Sequence, residues 1–302
     1  MTKTVMERVL KVPNSFRRLD STSVDAQRIH GISPDLLDIL LDLGLPHKGA
    51  SEAARFDRLD LENISVALRL PSKHWLAMRM WPRHLTRPRT EEESVCKIHV
   101  SWRCPELGHE GVCSFSASPQ LQTVSGDCAR DIPDAGSLEI EVPLEDDEYV
   151  FGDPFHVVAD AARTLTYHRI SPELARDDGF LTETLLADCR SATRHLIRIA
   201  DSTGFEARPA SGYFVGTPFP TVHNWLELKQ EERWVAADPF FLTTLRRWGL
   251  VDEEKWPTNS SPRKIFWRLG SSDSMPAPLV LHRGVRPALT SLMRVSRTRH
   301  PG

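Results

Sequence analysis

Two stretches in the second half of the chain carry apolar residues at helical spacing. In the first, residues 153–170, apolar positions recur every three or four residues. In the second, residues 185–204, neither Gly nor Pro occurs before Gly204, and Asp188 is a favourable N-cap residue. Glycine is the expected residue just past a helix end. The pattern therefore predicts two helices, the second of which begins at Cys189.

The second predicted helix has two faces of different polarity. Small or apolar residues share one face: Cys189, Ala192, Leu196, Ile199 and Ala200. Arginines recur every fourth residue on another face, which is typical of a solvated surface. Cys189 then lies in the first turn, on the side of the core, where free N–H groups and the helix dipole favour a thiolate. A nucleophile and a small buried hydrophobic residue both fit this position.

Alternation of apolar and polar residues predicts a β-hairpin that ends at Asp238. The polar segment 229–232 is the predicted loop, so that Leu228 pairs with Arg233. This register puts His223 directly opposite Asp238, and facing Cβ atoms on one side of such a pair are about 5 Å apart. An imidazole and a carboxylate at that distance can share a hydrogen bond, which fixes the histidine tautomer. A register shift of one residue would turn the side chains of His223 and Asp238 to opposite faces of the hairpin.

The segment that contains these residues resembles the transglutaminase-like core. After the helix-start cysteine, its motifs follow in the family's order: GFEAR at 204–208, GY at 212–213, HNWLE at 223–227 and WVAADP at 234–239. The match covers roughly residues 155–240. It implies an α+β, papain-like cysteine enzyme in which the cysteine helix packs on an antiparallel sheet. The implied catalytic triad is Cys189, His223 and Asp238.

The chemistry that this resemblance implies is acyl transfer through a Cys189 thioester to an amine. The product is a protein crosslink or an amide in natural-product biosynthesis. The expected partners are an amine acceptor and an acyl donor, either an amide or a thioester that a carrier can hold. A peptidase or amidase that uses water, and an inactive binding module, are the alternatives. Tyr167 is the candidate oxyanion donor by position, and Trp225 either lines the acyl channel or packs beside the hairpin.

The rest of the chain completes three predicted regions. Residues 1–94 include a helix from Ser33 to Gly44, strands at 63–70 and 74–81, and a linker at 82–94. Residues 95–150 are β-rich, with strands at 96–104, 111–117 and 137–144. The transglutaminase-like domain spans 151–302, with a helix after Asp238, a strand within 277–285 and a basic tail that we expect to fray.

The composition of the chain disfavours several classes of protein. The 302 residues are 40% apolar and 26% charged with a net charge of −3, which disfavours a disordered chain and a nucleic-acid binder. No apolar run approaches the roughly 18 residues of a membrane span, and the N-terminus lacks a secretory signal. No P-loop or Gly-x-Ser-x-Gly elbow is present. We therefore expect a cytoplasmic cysteine enzyme without a nucleic-acid or membrane partner.

Five cysteines without an export signal are expected to be reduced thiols. Four of them occur near two histidines: Cys96, Cys104, Cys113 and Cys128, with His99 and His109. Their spacing lacks the close Cys-x₂₋₄-Cys pairs of structural zinc sites. Inward-facing strand thiols are therefore favoured over a metal site, and the expected reaction needs no cofactor.

Overall fold

A computed structural model describes residues 1–50, 53–86, 94–106, 108–125, 131–132, 136–142, 144, 148–216, 219–272 and 278–299. Helices and strands are mixed along the chain in an α+β fold. Within these ranges, no helix combines the length and the apolar character needed to cross a membrane.

The helices and strands have the following bounds. The α-helices are α1 (Thr2–Leu10), α2 (Ser23–His30), α3 (Pro34–Asp42), α4 (Arg58–Ala67), α5 (Lys73–Met80), α6 (Pro82–Thr86), α7 (Pro119–Ser125), α8 (Phe155–Thr164), α9 (Asp178–Thr184), α10 (Cys189–Ser202) and α11 (Pro239–Arg247). The strands are β1 (Leu19–Thr22), β2 (His47–Lys48), β3 (Arg55–Asp57), β4 (Ser94–Arg103), β5 (Phe115–Ala117), β6 (Asp131–Ile132), β7 (Gly136–Val142), β8 (Thr166–Tyr167), β9 (Leu186–Ala187), β10 (Ala207–Phe214), β11 (Thr221–Gln230), β12 (Arg233–Ala237), β13 (Phe266–Gly270), β14 (Val280–His282), β15 (Arg286–Pro287) and β16 (Leu289–Arg299).

A four-stranded antiparallel sheet in the order β12-β11-β10-β13 carries α10 on one face. The apolar stripe of α10, which includes Leu196 and Ala200, packs against Leu226 and Val235 of the sheet in one core cluster. Helix α8 belongs to the same cluster through Val158. The helix predicted from Cys189 is confirmed, and its apolar stripe accounts for its burial. The helix predicted within residues 153–170 is confirmed only as far as Thr164, because Thr166 and Tyr167 form β8.

The hairpin has a different register from the predicted one. Gln230 pairs with Arg233 and Leu226 pairs with Ala237, so the turn contains two residues instead of four. The prediction that Leu228 pairs with Arg233 is wrong, because Lys229 and Gln230 of the predicted loop continue β11. The shift is an even number of residues, and side chains alternate with a period of two. His223 and Asp238 therefore stay on the same face of the sheet.

The two strands predicted in the N-terminal region are wrong. Residues 63–67 belong to α4 and residues 74–80 to α5. The N-cap of α4 is Asp57, whose carboxylate accepts hydrogen bonds from two N–H groups of the first turn. The N-cap of α5 is Ser72. Because α4 is buried on most of its circumference, its apolar residues show no clear period.

The other N-terminal predictions have mixed outcomes. Helix α3 is confirmed: the N–H of Leu36 donates to Oγ of Ser33 at 3.3 Å, and Gly44 follows the helix with φ of +88°. The predicted linker at 82–94 begins as α6, and residues 87–93 lie outside the described residues.

The C-terminal segment forms part of the β-rich region. β16 pairs antiparallel with β4, with Leu289 opposite Arg103 and Arg299 opposite Ser94, and β7 pairs with the other edge of β4. The prediction that the basic tail frays is therefore wrong as far as Arg299, because backbone hydrogen bonds of a long ladder hold it. β14 similarly pairs with β5. The division into three regions stays a prediction.

Gly212, the glycine of the GY motif, lies where β10 comes very close to β13. A Cβ atom on this residue would lie 1.9 Å from the carbonyl oxygen of Trp267. No side chain fits there without moving the backbone of one strand. Strand packing alone thus requires glycine at this motif position.

Candidate active site

Cys189 is the first residue of α10, and a capping box fixes where this helix begins. Oδ1 of Asp188 accepts hydrogen bonds from the N–H groups of Arg190 and Ser191, at 2.9 and 3.1 Å. Oγ of Ser191 accepts from the N–H of Asp188 in return, at 3.1 Å. Nε of Arg190 donates to Oδ2 of Asp188 at 2.9 Å, which balances the carboxylate charge. The half-buried thiol therefore lies at a well-defined, positive helix end.

His223 and Asp238 form a hydrogen-bonded pair with little exposure to solvent. Nε2 of His223 lies 2.6 Å from Oδ2 of Asp238, and the two side chains are 12% and 6% exposed. Asp238 directly follows β12 and is also the N-cap of α11, where its Oδ1 accepts from the N–H of Phe241 at 2.8 Å. The two side chains meet despite the shifted register because they share one face of the sheet.

Cys189 and His223 line the same cavity, and Cys189 is one of the groups that raise the pKa of the imidazole. Because Nε2 faces Asp238, Nδ1 is the ring nitrogen left for the sulfur. Burial lowers the pKa of His223, but hydrogen bonds and charges from Asp238 and Cys189 outweigh burial and raise it from 6.5 to about 10. The ring is therefore positively charged at neutral pH. The structure thus brings all three residues of the predicted triad together.

Aromatic rings surround the imidazole. The ring of Trp225 stacks on His223 with an interplanar angle of 18°, and the ring centroids of Phe266 and Phe241 lie 5.3 and 5.6 Å away. Trp225 is 1% exposed and packs in a core cluster. It is not part of the wall of the cavity that opens beside Cys189 and His223. Trp225 therefore packs beside the hairpin, and its assignment to the acyl channel stays a prediction.

A cavity of about 300 Å³ opens beside Cys189 and His223. Most of its wall is apolar: Met78, Trp81, Tyr167, Phe214, Val222, Phe240, Phe241 and Trp248. Its polar residues include Arg58, His74, Arg169 and Arg190. An apolar cavity with a few polar groups and a reactive side chain in its wall is typical of a small-molecule site.

Tyr167 lies in the wall of this cavity, beside the start of α10. Its strand β8 pairs in parallel with β9, so that Tyr167 is opposite Ala187, close to Asp188 in the chain. The Tyr167 hydroxyl lies 3.4 Å from Nε2 of His74. Burial raises the pKa of Tyr167, and burial lowers the pKa of His74 to about 3. At neutral pH a protonated phenol therefore contacts an uncharged imidazole.

Part of the cavity wall comes from N-terminal helices that no sequence motif connects with the site. Arg58 begins α4 and His74 lies in the first turn of α5. Arg58 and Arg169 both form ion pairs with Glu62, at 2.6 and 2.7 Å. The only sequence signal for α5 is Ser72 in front of a Gly- and Pro-free segment, which is compatible with a helix N-cap.

The similarity of this chain to known proteins is weak. No known protein family and no curated protein matches the sequence. Among solved structures, a candidate cysteine protease from Cytophaga hutchinsonii is 12% identical, with a TM-score of 0.33, over 69% of this chain and 91% of its own. A likeness this weak does not identify a shared fold.

We expect the His223 ring to stay protonated far above the pH at which a free histidine titrates, because Asp238 and Cys189 raise its pKa to about 10. In Asp238→Asn the pKa falls toward 6.5, since the negative charge is lost while a cap-forming side chain remains for α11. NMR titration of the ring signals in both proteins measures these values.

Stability follows the same titration. Because the folded-state pKa is raised, the stabilisation from protonated His223 is complete below about pH 6.5 and is lost as the pH rises through about 10. The difference in unfolding free energy between wild type and Asp238→Asn therefore shrinks over this window. A wild-type His223 signal that titrates near pH 6.5 would contradict the charged pair.

Proposed function

We propose that the protein is a transglutaminase-like cysteine enzyme that transfers an acyl group through a thioester on Cys189 to an amine. The observation that carries the proposal is that Cys189 and His223 lie together in the wall of an apolar cavity, with Asp238 hydrogen-bonded to the histidine. A nucleophile, a base and an orienting carboxylate in this order are the parts of thiol-dependent acyl transfer. The packing of α10 on an antiparallel sheet supports a transglutaminase-like core.

Acylation begins with attack of the Cys189 sulfur on the carbonyl carbon of the donor. A C–S bond forms, and the bond from the carbonyl carbon to the departing amine or thiol breaks. The His223 imidazolium gives its Nδ1 proton to that leaving group and becomes neutral. Asp238 keeps Nε2 protonated throughout, so the ring presents the same nitrogen to each reacting atom.

The oxyanion that forms during this attack needs hydrogen-bond donors on the cavity side of Cys189. The backbone N–H of Cys189 is at the first position of α10, where no intrahelical acceptor exists for it. Tyr167 is the candidate side-chain donor. Its hydroxyl keeps its proton at neutral pH, and an Nε2–H of the neutral His74 can donate to its oxygen, which leaves the phenol proton for the oxyanion.

Deacylation repeats these steps with an amine. Neutral His223 takes a proton from the amine as its nitrogen attacks the thioester carbon, a C–N bond forms, and the C–S bond breaks to return the thiolate. The aromatic wall, which includes Phe214, Phe241 and Trp248, supports an amine acceptor over water, because it limits the space for bulk solvent around the thioester. The acyl donor is an amide or a thioester, and a carrier protein can hold the latter.

The three triad residues are expected to contribute unequally. Cys189→Ala and His223→Ala lower the turnover number by at least about 10⁴-fold, since each removes a group that makes or breaks bonds. Asp238→Asn lowers it by about 10²-fold or more and leaves measurable activity, because the lost carboxylate only orients and stabilises the ring. Turnover is followed with a thioester donor by release of the free thiol.

Asp238→Ala is the matched comparison, since it removes the helix cap together with the charge. Thermal unfolding of both Asp238 variants separates a loss of stability from a loss of catalysis. Cys189→Ala that retains most of the wild-type activity would contradict the assignment of the nucleophile.

Amide formation is expected to exceed hydrolysis once the correct donor is present. Water is at about 55 M, but effective molarities of well-oriented groups reach about 10⁵ M, so a bound amine can win. The measurement uses N-acetylcysteamine thioesters and glutamine peptides as donors, with and without millimolar primary amines. Mass spectrometry quantifies the amide and the free acid.

The variant Cys189→Ala is the control for uncatalysed aminolysis in the same mixtures. Free acid as the sole product with every amine would support a cysteine hydrolase instead. No product and no acyl-enzyme with any donor would support an inactive binding module.

A further inference from the structure

Four side chains that are far apart in sequence meet at one edge of the β-rich region. Cys104 directly follows β4, His109 and Cys113 lie in the loop before β5, and His282 is the last residue of β14. One sulfur or ring nitrogen from each lies within 4.8 Å of the other three. Sγ of Cys104 is 3.7 Å from Nε2 of His282, and Sγ of Cys113 is 3.1 Å from Nε2 of His109.

These separations are close to those of four ligands around one zinc ion. With Zn–S bonds of about 2.3 Å and Zn–N bonds of about 2.0–2.1 Å, tetrahedral ligand atoms lie roughly 3.3–3.8 Å apart. Two thiolates also balance the charge of Zn²⁺. We propose that Cys104, His109, Cys113 and His282 bind a structural zinc ion, which requires only small side-chain rotations.

Backbone groups already orient two of these ligands. The Cys104 thiol donates to the carbonyl oxygen of Glu106 at 3.0 Å, and its sulfur accepts from the N–H of Glu106 at 3.3 Å. The second of these bonds is the one that a thiolate would keep. Nδ1 of His109 lies 3.0 Å from the carbonyl oxygen of Glu110, so the Nδ1–H tautomer can donate there and leaves Nε2 for the metal. Arg283 donates to the same carbonyl, at 2.7 Å.

Arg283 also lies 2.7 Å from Nδ1 of His109, which suits the other tautomer. In that tautomer Nε2–H donates to Cys113, as expected of a protein without metal. Zinc replaces the Nε2 proton and selects the Nδ1–H form, in which Arg283 keeps its bond to the carbonyl of Glu110. The site with zinc and the site without zinc therefore differ in which nitrogen of His109 holds the proton.

His282 is the most deeply buried of the four side chains. Its side chain is fully buried at 0% exposure, and its Nδ1 has no hydrogen-bond partner in the part of the chain that the structure describes. A buried imidazole with an unsatisfied nitrogen costs free energy. A metal at Nε2 would leave the proton on Nδ1 and would not satisfy that nitrogen. What His282 contributes to the site is Nε2, which lies 3.7 Å from Sγ of Cys104.

The cluster corrects the interpretation of the cysteines as inward-facing strand thiols. Cys104 and Cys113 lie just outside β4 and β5, in the loop that joins them. Cys96 is in β4, and Cys128 lies outside the described residues. The spacing of the cysteines could not indicate zinc, because the fourth ligand, His282, is 178 positions after Cys104.

The proposed role of the ion is structural. Four protein ligands leave no open position for a substrate, and none of the four residues lines the cavity beside Cys189. The ion would hold the loop between β4 and β5 against β14. In the chain, β14 follows β13 of the sheet that carries α10. The proposal does not depend on the proposed acyl transfer.

The test is metal analysis of the full-length protein by inductively coupled plasma mass spectrometry. We expect about one zinc ion per chain, and loss of most of it in Cys113→Ser and in His282→Asn. His99→Ala is the matched control, because His99 lies on β4 and pairs with Glu139, at 2.8 Å, outside the cluster. That control and Cys189→Ala keep their zinc.

Cobalt substitution of the wild-type protein decides the question even where a variant fails to fold. Tetrahedral Co²⁺ with two thiolates gives visible d–d bands and a near-ultraviolet thiolate charge-transfer band, and added Zn²⁺ abolishes both. Zinc far below one equivalent without these bands would overturn the proposal. So would a Cys104–Cys113 disulfide in the native protein, or unchanged zinc in a folded Cys113→Ser.

Discussion

The Asp238 carboxylate makes the interaction on which the candidate site depends, because its two oxygens serve two different elements. Oδ1 caps α11 through the N–H of Phe241, and Oδ2 holds Nε2 of His223. The cap fixes the start of the helix against the end of β12, and ladder hydrogen bonds fix β12 against β11. The imidazole is therefore oriented by a rigid strand pair and a helix end, as precise positioning requires. Asp188 fixes the position of Cys189 by capping the start of α10.

Burial makes this arrangement electrostatically strong. The aromatic rings around His223 exclude water, so the attraction between the charged ring and the Asp238 carboxylate is weakly screened. Burial alone would lower the pKa of His223, as it does for His74 in the same cavity wall. The two histidines differ because His223 has acidic partners, whereas the nearby positive charge of Arg169 adds to the effect of burial on the pKa of His74. One cavity thus holds a charged histidine beside the nucleophile and an uncharged one beside Tyr167.

The sequence could predict the parts of this site that follow from local rules. Asp188 before a Gly- and Pro-free amphipathic segment indicated the cysteine helix, and strand alternation put His223 and Asp238 on one face. The turn length escaped prediction, because polar loop residues continue a strand as readily as they form a turn. The helices behind Arg58 and His74 escaped as well. α4 is buried on most sides and shows no period, and α5 has only eight residues. His282 meets Cys104 only through the pairing of β14 with β5, which no local pattern encodes.

Covalent catalysis by Cys189 is the central claim, and trapping the acyl-enzyme tests it most directly. Wild-type protein is mixed with excess thioester donor in the absence of amine, quenched in acid, and analysed by intact-protein mass spectrometry with peptide mapping. We predict one added acyl group on the peptide that contains Cys189, and its decay on addition of amine at the rate at which amide forms. Amide formation without this adduct, or an adduct on another cysteine that decays more slowly than amide forms, would contradict the account.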